Sequence, residues 1–336
     1  MGSRTPSSPL SPLEPIAAVR SLRGSVAGLV AALVMVGCAS SPSPTPTITI
    51  APATPTVAPA TATPGPTPSP TPAPTVAPTP SVSEVFPRDA FSDPTTVDNP
   101  YFPLVPGTQF VYRGAVGLGD DRESHRVVFT VTDQTKVIEG IPTVVVYDVD
   151  YTPARQVAEV EIAFFAQDDE GNVWLMGEFP AEYEDGKIIE SPAWISGLDG
   201  ATAGITMPAE PSLTAPSYSQ GWAPSVEFTD RARTFELGSR TCVGTGCYED
   251  VLVIDEFNPS EPDSHQLKYY APGFGPVRVG WAGAMEPDRE VLELTRLTPL
   301  DDAAMAKLRS TVLAFDARAR QLSPDVYALS EPLQGP

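Results

Sequence analysis

Between residues 108 and 297, short runs rich in Val, Ile, Thr and aromatic residues alternate with turn residues, the pattern of antiparallel strands. A first set covers 109–113, 126–132, 143–149, 159–167 and 172–178. A second covers 226–236, 249–256, 266–271, 276–281 and 290–297. Within 126–132 the period of two places Val127, Phe129 and Val131 on one face and Arg126, Val128 and Thr130 on the other. Glu139-Gly140, Asp169-Glu170-Gly171-Asn172 and Asp185-Gly186 stand where the chain must reverse, because such residues tolerate the positive φ of tight hairpins.

The two sets resemble each other. Val128-Phe129-Thr130 answers Glu227-Phe228-Thr229, and Val145-Val146-Tyr147-Asp148 answers Leu252-Val253-Ile254-Asp255. Phe164-Phe165-Ala166-Gln167 answers Tyr269-Tyr270-Ala271-Pro272, and Gly171-Asn172-Val173-Trp174 answers Gly275-Pro276-Val277-Arg278. The offsets are 99, 107, 105 and 104, a drift no larger than a loop insertion. The predicted fold is therefore all-β: two similar antiparallel β-meanders, about 100–189 and 215–297. They form a curved sheet, a partly closed barrel or a sandwich. Between them 190–224, rich in Gly, Pro, Ala and Ser, reads as a long crossing loop.

One C-terminal α-helix follows over 298–323. Asp301 and Asp302 suit its positive N-terminal end, and Arg318 and Arg320 suit its last turns. Met305, Leu308, Val312, Phe315, Ala319 and Leu322 form one apolar stripe, expected to cap an open side or edge of the sheet. Residues 324–336 form a tail.

The region before 84 has a different character. The uncharged run 25–37 (SVAGLVAALVMVG) follows Arg20 and Arg23. It is shorter than the roughly 20 residues a membrane-crossing helix needs. Met35, Val36, Gly37 and Cys38 resemble a bacterial lipobox. Residues 1–37 thus read as a lipoprotein signal peptide, with Cys38 as the lipid-attachment residue. Residues 39–83 carry no charge and hold 14 prolines among Thr, Ser and Ala. Such a stretch buries too little to offset its ordering entropy, so 38–83 is expected to be a disordered tether. In polyproline II form it would reach on the order of 100 Å. The expected location is the extracytoplasmic face of a bacterial membrane, with that membrane as the partner.

Net charge narrows the remaining partners. The chain carries −21 overall; Arg4, Arg20 and Arg23 against Glu14 are the only charges before 84, which leaves −23 for 84–336. That excess argues against nucleic acid, whose phosphates need clustered Lys and Arg.

Candidate chemistry is sparse. Cys242 and Cys247, in a Thr-Cys-Val-Gly-Thr-Gly-Cys-Tyr stretch between two expected strands, read as an extracytoplasmic disulfide. The pair lacks the further ligands of a zinc site. His125 and His265 stand near no nucleophile motif, no phosphate-binding or dinucleotide loop is present, and no cofactor is expected. Asp168, Asp169, Glu170 and Asn172 are a weak calcium candidate, since the same residues dominate ordinary turns. Trp174, Trp194, Trp222 and Trp281 are candidates to line an apolar ligand cavity if the curved sheet is open.

Asn99-Pro100-Tyr101-Phe102-Pro103-Leu104 with Pro106-Gly107-Thr108, and Lys268-Tyr269-Tyr270-Ala271-Pro272-Gly273-Phe274-Gly275, are similar to motifs of a group of exported bacterial lipoproteins without a known activity. The resemblance spans roughly 95–297. It implies an exported β-rich domain and carries no activity. The functional expectation is a non-catalytic, lipid-anchored envelope protein that binds an apolar ligand or a protein partner. The alternatives are a hydrolase with carboxylates such as Glu182 and Glu184 in a cleft between the halves, and a purely structural or interaction module.

Overall fold

The computed structural model describes residues 84–119 and 122–336; the expected signal peptide, the expected lipid-attachment residue Cys38 and the expected tether lie outside these residues. The first meander consists of β1 (Thr108–Val116), β2 (Glu123–Ile138), β3 (Ile141–Tyr151), β4 (Val157–Gln167) and β5 (Val173–Glu184). Short strands follow: β6 (Lys187–Glu190), β7 (Trp194–Ile195), β8 (Thr202–Met207), β9 (Tyr218–Ser219) and β10 (Gly221–Trp222). The second meander is β11 (Arg231–Val243), β12 (Gly246–Phe257), β13 (His265–Ala271), β14 (Gly275–Ala282) and β15 (Val291–Pro299). All join one antiparallel sheet, and the meanders meet where β1 pairs with both β2 and β15. The sheet is not closed into a barrel.

Each of the ten expected strands corresponds to one of these meander strands. The hairpin turns also agree: Glu139 and Gly140 have φ of 53° and 83°, and Asp185 and Gly186 have 50° and 72°. Three expectations need correction. Residues 190–224 are not simply a loop, because β8 pairs with β5 and β10 pairs with β8. Small residues permit this: a Cβ on Gly204 would lie 2.2 Å from the Gln220 backbone carbon. The strand expected from 226 begins only at Arg231, after a turn in which Glu227 is left-handed at φ 61°. One of the four correspondences of the repeat also crosses faces, since Val145 lies in one core cluster and Leu252 in the other. In the remaining three, Phe129 and Phe228, Phe165 and Tyr270, and Val173 and Val277 share a cluster.

The two clusters mark the two faces of the sheet. The inner cluster draws on both meanders, including Phe110, Val127, Phe129 and Phe165 from the first and Leu252, Ile254, Tyr270 and Val277 from the second. The outer cluster belongs to the first meander and includes Val145, Ile162, Phe164 and Phe179. Helix α1 (Asp302–Leu322) covers that outer face with Val312, Phe315 and Ala319, rather than an edge. Asp301 caps it, its side chain accepting from Ala304 N at 2.8 Å. Lys136, wholly buried beneath the helix, reaches Glu331 O at 2.5 Å, lies 3.7 Å from Asp316 Oδ1 and stands 4.3 Å from the Tyr327 ring. The C-terminal tail is thereby tied to β2.

One end of the inner face is closed by the segment before β1. Phe102 is fully buried there, its ring 5.4 Å from Phe165 and 6.2 Å from Tyr270. Gly273 N donates to Pro100 O at 2.7 Å. The two sequence motifs that carried the resemblance are thus two halves of one plug. Asn99 braces it, its Nδ2 donating to Gly171 O at 2.9 Å and Pro208 O at 3.2 Å.

Candidate functional site

Strand register divides the inner face into an apolar end and an acidic end. On β3, Val144 and Val146 lie in the inner core, so the period of two brings Asp148 and Asp150 onto the same face. On β4, Ala163 and Phe165 do the same for Glu159 and Glu161. The register sets Asp148 against Glu161 and Asp150 against Glu159. Like charges so placed repel each other. Glu178 joins them from β5. Across the interior stand Asp230, Glu256 on β12, Lys268 on β13 and Glu290. All of these side chains are buried.

Part of this cluster is neutralised internally. Lys268 Nζ lies 2.5 Å from Glu256 Oε2, and Gln220 Nε2 donates to Glu256 Oε1 at 2.9 Å. Trp194 Nε1 donates to Glu178 Oε1 at 2.9 Å, and Asn258 Nδ2 to Asp230 Oδ1 at 2.9 Å. His125 sits between two carboxylates, Nε2 at 2.5 Å from Asp150 Oδ1 and Nδ1 at 2.7 Å from Glu290 Oε1. This imidazole links the first meander to the start of β15.

The pKa shifts follow from these placements. Burial, then the charges of Glu178, Glu159 and Asp148, holds the Glu161 carboxyl well above its usual range. Burial, then Asp150 and Glu159, does the same to Asp148. Burial with Glu256 and Glu261 pushes Asp230 up to about 8. Burial raises Glu256 and lowers its partner Lys268, so desolvation outweighs their attraction on both sides. Burial also opposes charge on His125, yet the bonds and charges of Asp150 and Glu290 prevail and raise it to about 10.

Several polar atoms at this end have no protein partner: Asp148 Oδ1, Glu161 Oε2, Glu178 Oε2, Gln220 Oε1, Gln266 Oε1 and the hydroxyls of Tyr218 and Tyr270. Buried polar groups are rarely left so. A cavity of about 30 Å³ opens at the rim beside His125 and Asp150. The apolar end, by contrast, is filled by its own side chains around Phe102.

Apart from His125, already placed between Asp150 and Glu290, the residues singled out from sequence fall elsewhere, with one exception. Cys242 and Cys247 are bonded to each other at the tip of the β11–β12 hairpin, where they face each other in register. The Asp168 carboxylate is occupied: Oδ1 accepts from Glu170 N and Asn172 N, and Oδ2 from Asn172 Nδ2 and Trp174 Nε1. Asp169 accepts from Ser92. Among the described residues no group of three or more His, Cys, Asp or Glu is arranged to hold a metal. The tryptophans do not converge. Trp174 belongs to the outer cluster, Trp222 pairs along β10 and Trp281 lies under Arg289. Trp194, stacked on Phe228, is the exception that reaches the acidic end, through Glu178. Glu182 stands opposite Glu159 on the β4–β5 ladder, whereas Glu184 is exposed beside the β5–β6 turn. His265 lies outside the cluster, bound to Asp255 at 2.8 Å.

No protein-family model and no curated protein sequence matches the chain. Solved structures do resemble it, among them two from bacteria. One is a protein described as exported, with a YmcC-like fold, from Bacteroides fragilis; at 13% identity and a TM-score of 0.35 the match covers 59% of this chain and 98% of that one. The other is a protein described as a lipoprotein, from Parabacteroides distasonis; at 12% identity and a TM-score of 0.35 it covers 60% of this chain and 99% of that one. Among the described residues no helix is long and apolar enough to cross a membrane.

Proposed function

We propose that this is an exported bacterial protein, anchored by lipid on Cys38, whose β-domain binds a ligand at the acidic end of its inner face. The observation that carries the reading is the set of deeply buried polar atoms left without partners on one shared face of both meanders. A purely apolar ligand is disfavoured, because Phe102, Phe165 and Tyr270 fill the apolar end. The Pro/Thr-rich tether supports a role at a distance from the membrane. The test is native mass spectrometry of the full chain released gently from its membrane. A co-purifying ligand that is lost in a Glu161→Gln variant supports the reading; a bare protein from every growth condition counts against it.

A hydrolytic reading has one observation in its favour: Asp148 and Glu161 stand opposite each other, both raised by burial. Under this reading the co-purified ligand would appear cleaved on incubation. Under the binding reading it would keep its mass.

A further inference from the structure

A cavity of about 310 Å³ lies at the border of the outer cluster and shares no lining residue with the acidic end. Ligand pockets fall between about 300 and 1,000 Å³, so this one stands at the lower end of their range. Three stretches of chain meet there: the β2–β3 turn, the turn after β7, and residues 329–331 of the C-terminal tail. Ile138, Leu198 and Leu329 give it apolar walls, and Arg88, Glu139 and Glu331 give it charge.

Glu139 is the built part of this cavity. Its side chain is 5% exposed, and its backbone is left-handed at φ 53°, a conformation that costs a glutamate energy. Gly197 makes room for the carboxylate, since a Cβ there would stand 3.0 Å from Glu139 Cγ and Cδ. Ser196 Oγ accepts from Ala203 N at 2.8 Å and donates its one proton to Glu139 Oε1. Glu139 Oε2, also buried, makes no hydrogen bond among the described residues and meets the Arg88 guanidinium as an ion pair. Arg88 is a poor cover for a buried carboxylate. It stands on the irregular segment before β1, and its side chain is 63% exposed. An ion pair so open to water on one side contributes little.

The group already on Glu139 shows which chemistry the seat accepts. It is a guanidinium, with apolar walls beside it for a stem. An anion is disfavoured, because Glu139 and Glu331 outnumber Arg88 here and residues 84–336 carry −23.

We propose that this cavity binds a small guanidinium compound with an apolar stem. The head displaces Arg88 from Glu139 Oε2, and the stem lies against Leu198 and Leu329. Arg88 is then an internal competitor that occupies the seat until the ligand arrives. The site is independent of the acidic end, so either reading can fail without the other.

Ligand-observed NMR titration of the full chain in detergent tests this, with butylguanidine as the probe and butyrate beside it. Thermal melting checks that each variant is folded. Butylguanidine is expected to bind the parent. Arg88→Ala removes the competitor and should tighten binding about two- to fivefold, the range in which an exposed ion pair competes. Glu139→Gln keeps an acceptor for Ser196 and should weaken binding at least about tenfold. Leu329→Ala, at a residue 66% exposed, leaves the core intact and should weaken binding about threefold. An Arg88→Ala variant that binds no more tightly than the parent would overturn the inference. So would binding that Glu139→Gln or Leu329→Ala leaves unchanged. Binding of butyrate in place of butylguanidine, or silence from both the parent and Arg88→Ala, would overturn it too.

Discussion

Asp230 offers the sharpest test of the electrostatics at the acidic end. It is 7% exposed and accepts one hydrogen bond from Asn258 Nδ2 at 2.9 Å. Burial, reinforced by Glu256 and Glu261, raises its pKa from 3.8 to about 8. As pH rises, the unfolded chain releases this proton first, so stability falls from the unfolded value upward and the loss is complete only above about 8. At about 1.4 kcal/mol per unit, the penalty is about 1–2 kcal/mol at about pH 5 and about 4 kcal/mol at about pH 7. Asp148, Glu161, Glu256 and Glu290 are raised as well and act in the same direction. Asp230→Asn removes the titration while keeping an acceptor for Asn258. Urea unfolding followed by tryptophan fluorescence should show the variant about 3–4 kcal/mol more stable than the parent at about pH 7, and at most about 2 kcal/mol at about pH 5. The parent should lose stability between these pH values. Equal gains at both, or a parent that gains stability toward pH 7, would refute the reasoning.

Four further outcomes are expected. Converting both Cys242 and Cys247 to Ser should lower stability by about 2 kcal/mol in the same assay, from the short loop the bond closes. Phe102→Ala, at the plug, should cost about 3–5 kcal/mol in thermal or urea unfolding. Asp316→Ala removes the carboxylate 3.7 Å from the buried Lys136 Nζ, and should cost about 3–5 kcal/mol and expose 323–336 to limited proteolysis. Cys38→Ser should move the protein from the membrane fraction to the soluble fraction of cell lysates.

Much of the sheet was legible because its hairpins obey local rules. Glu139-Gly140 and Asp185-Gly186 hold positive φ where the sequence required it, and the Val127, Phe129 and Val131 face is buried as its alternation demanded. The acidic end escaped notice for a physical reason. In Asp148-Val149-Asp150 and Glu159-Val160-Glu161 the charges alternate with apolar residues, which ordinarily marks a strand with one wet face. Here Val149 and Val160 pack in the outer cluster beneath the helix, while the carboxylates are covered by the other meander. Local alternation says that two faces differ; it does not say that both are covered. The pairings of β7 with β5 and of β10 with β8 were missed because they depend on Gly177 and Gly204 allowing backbones to approach closely, which is set by tertiary placement.

The pairing of β1 with β15 in the middle of the sheet has a temporal consequence. The first strand to emerge keeps one edge and part of the inner apolar face uncovered until nearly the whole domain has followed it. Closing so distant a contact is slow compared with hairpin formation. A chain leaving a ribosome or a membrane pore amino end first would therefore stay unlocked, and able to be threaded, until its last strand arrives. Chains truncated just before Val291 should remain protease-sensitive, while chains that extend past Pro299 become resistant. In this architecture, the order of strands across the sheet acts as a delay on folding.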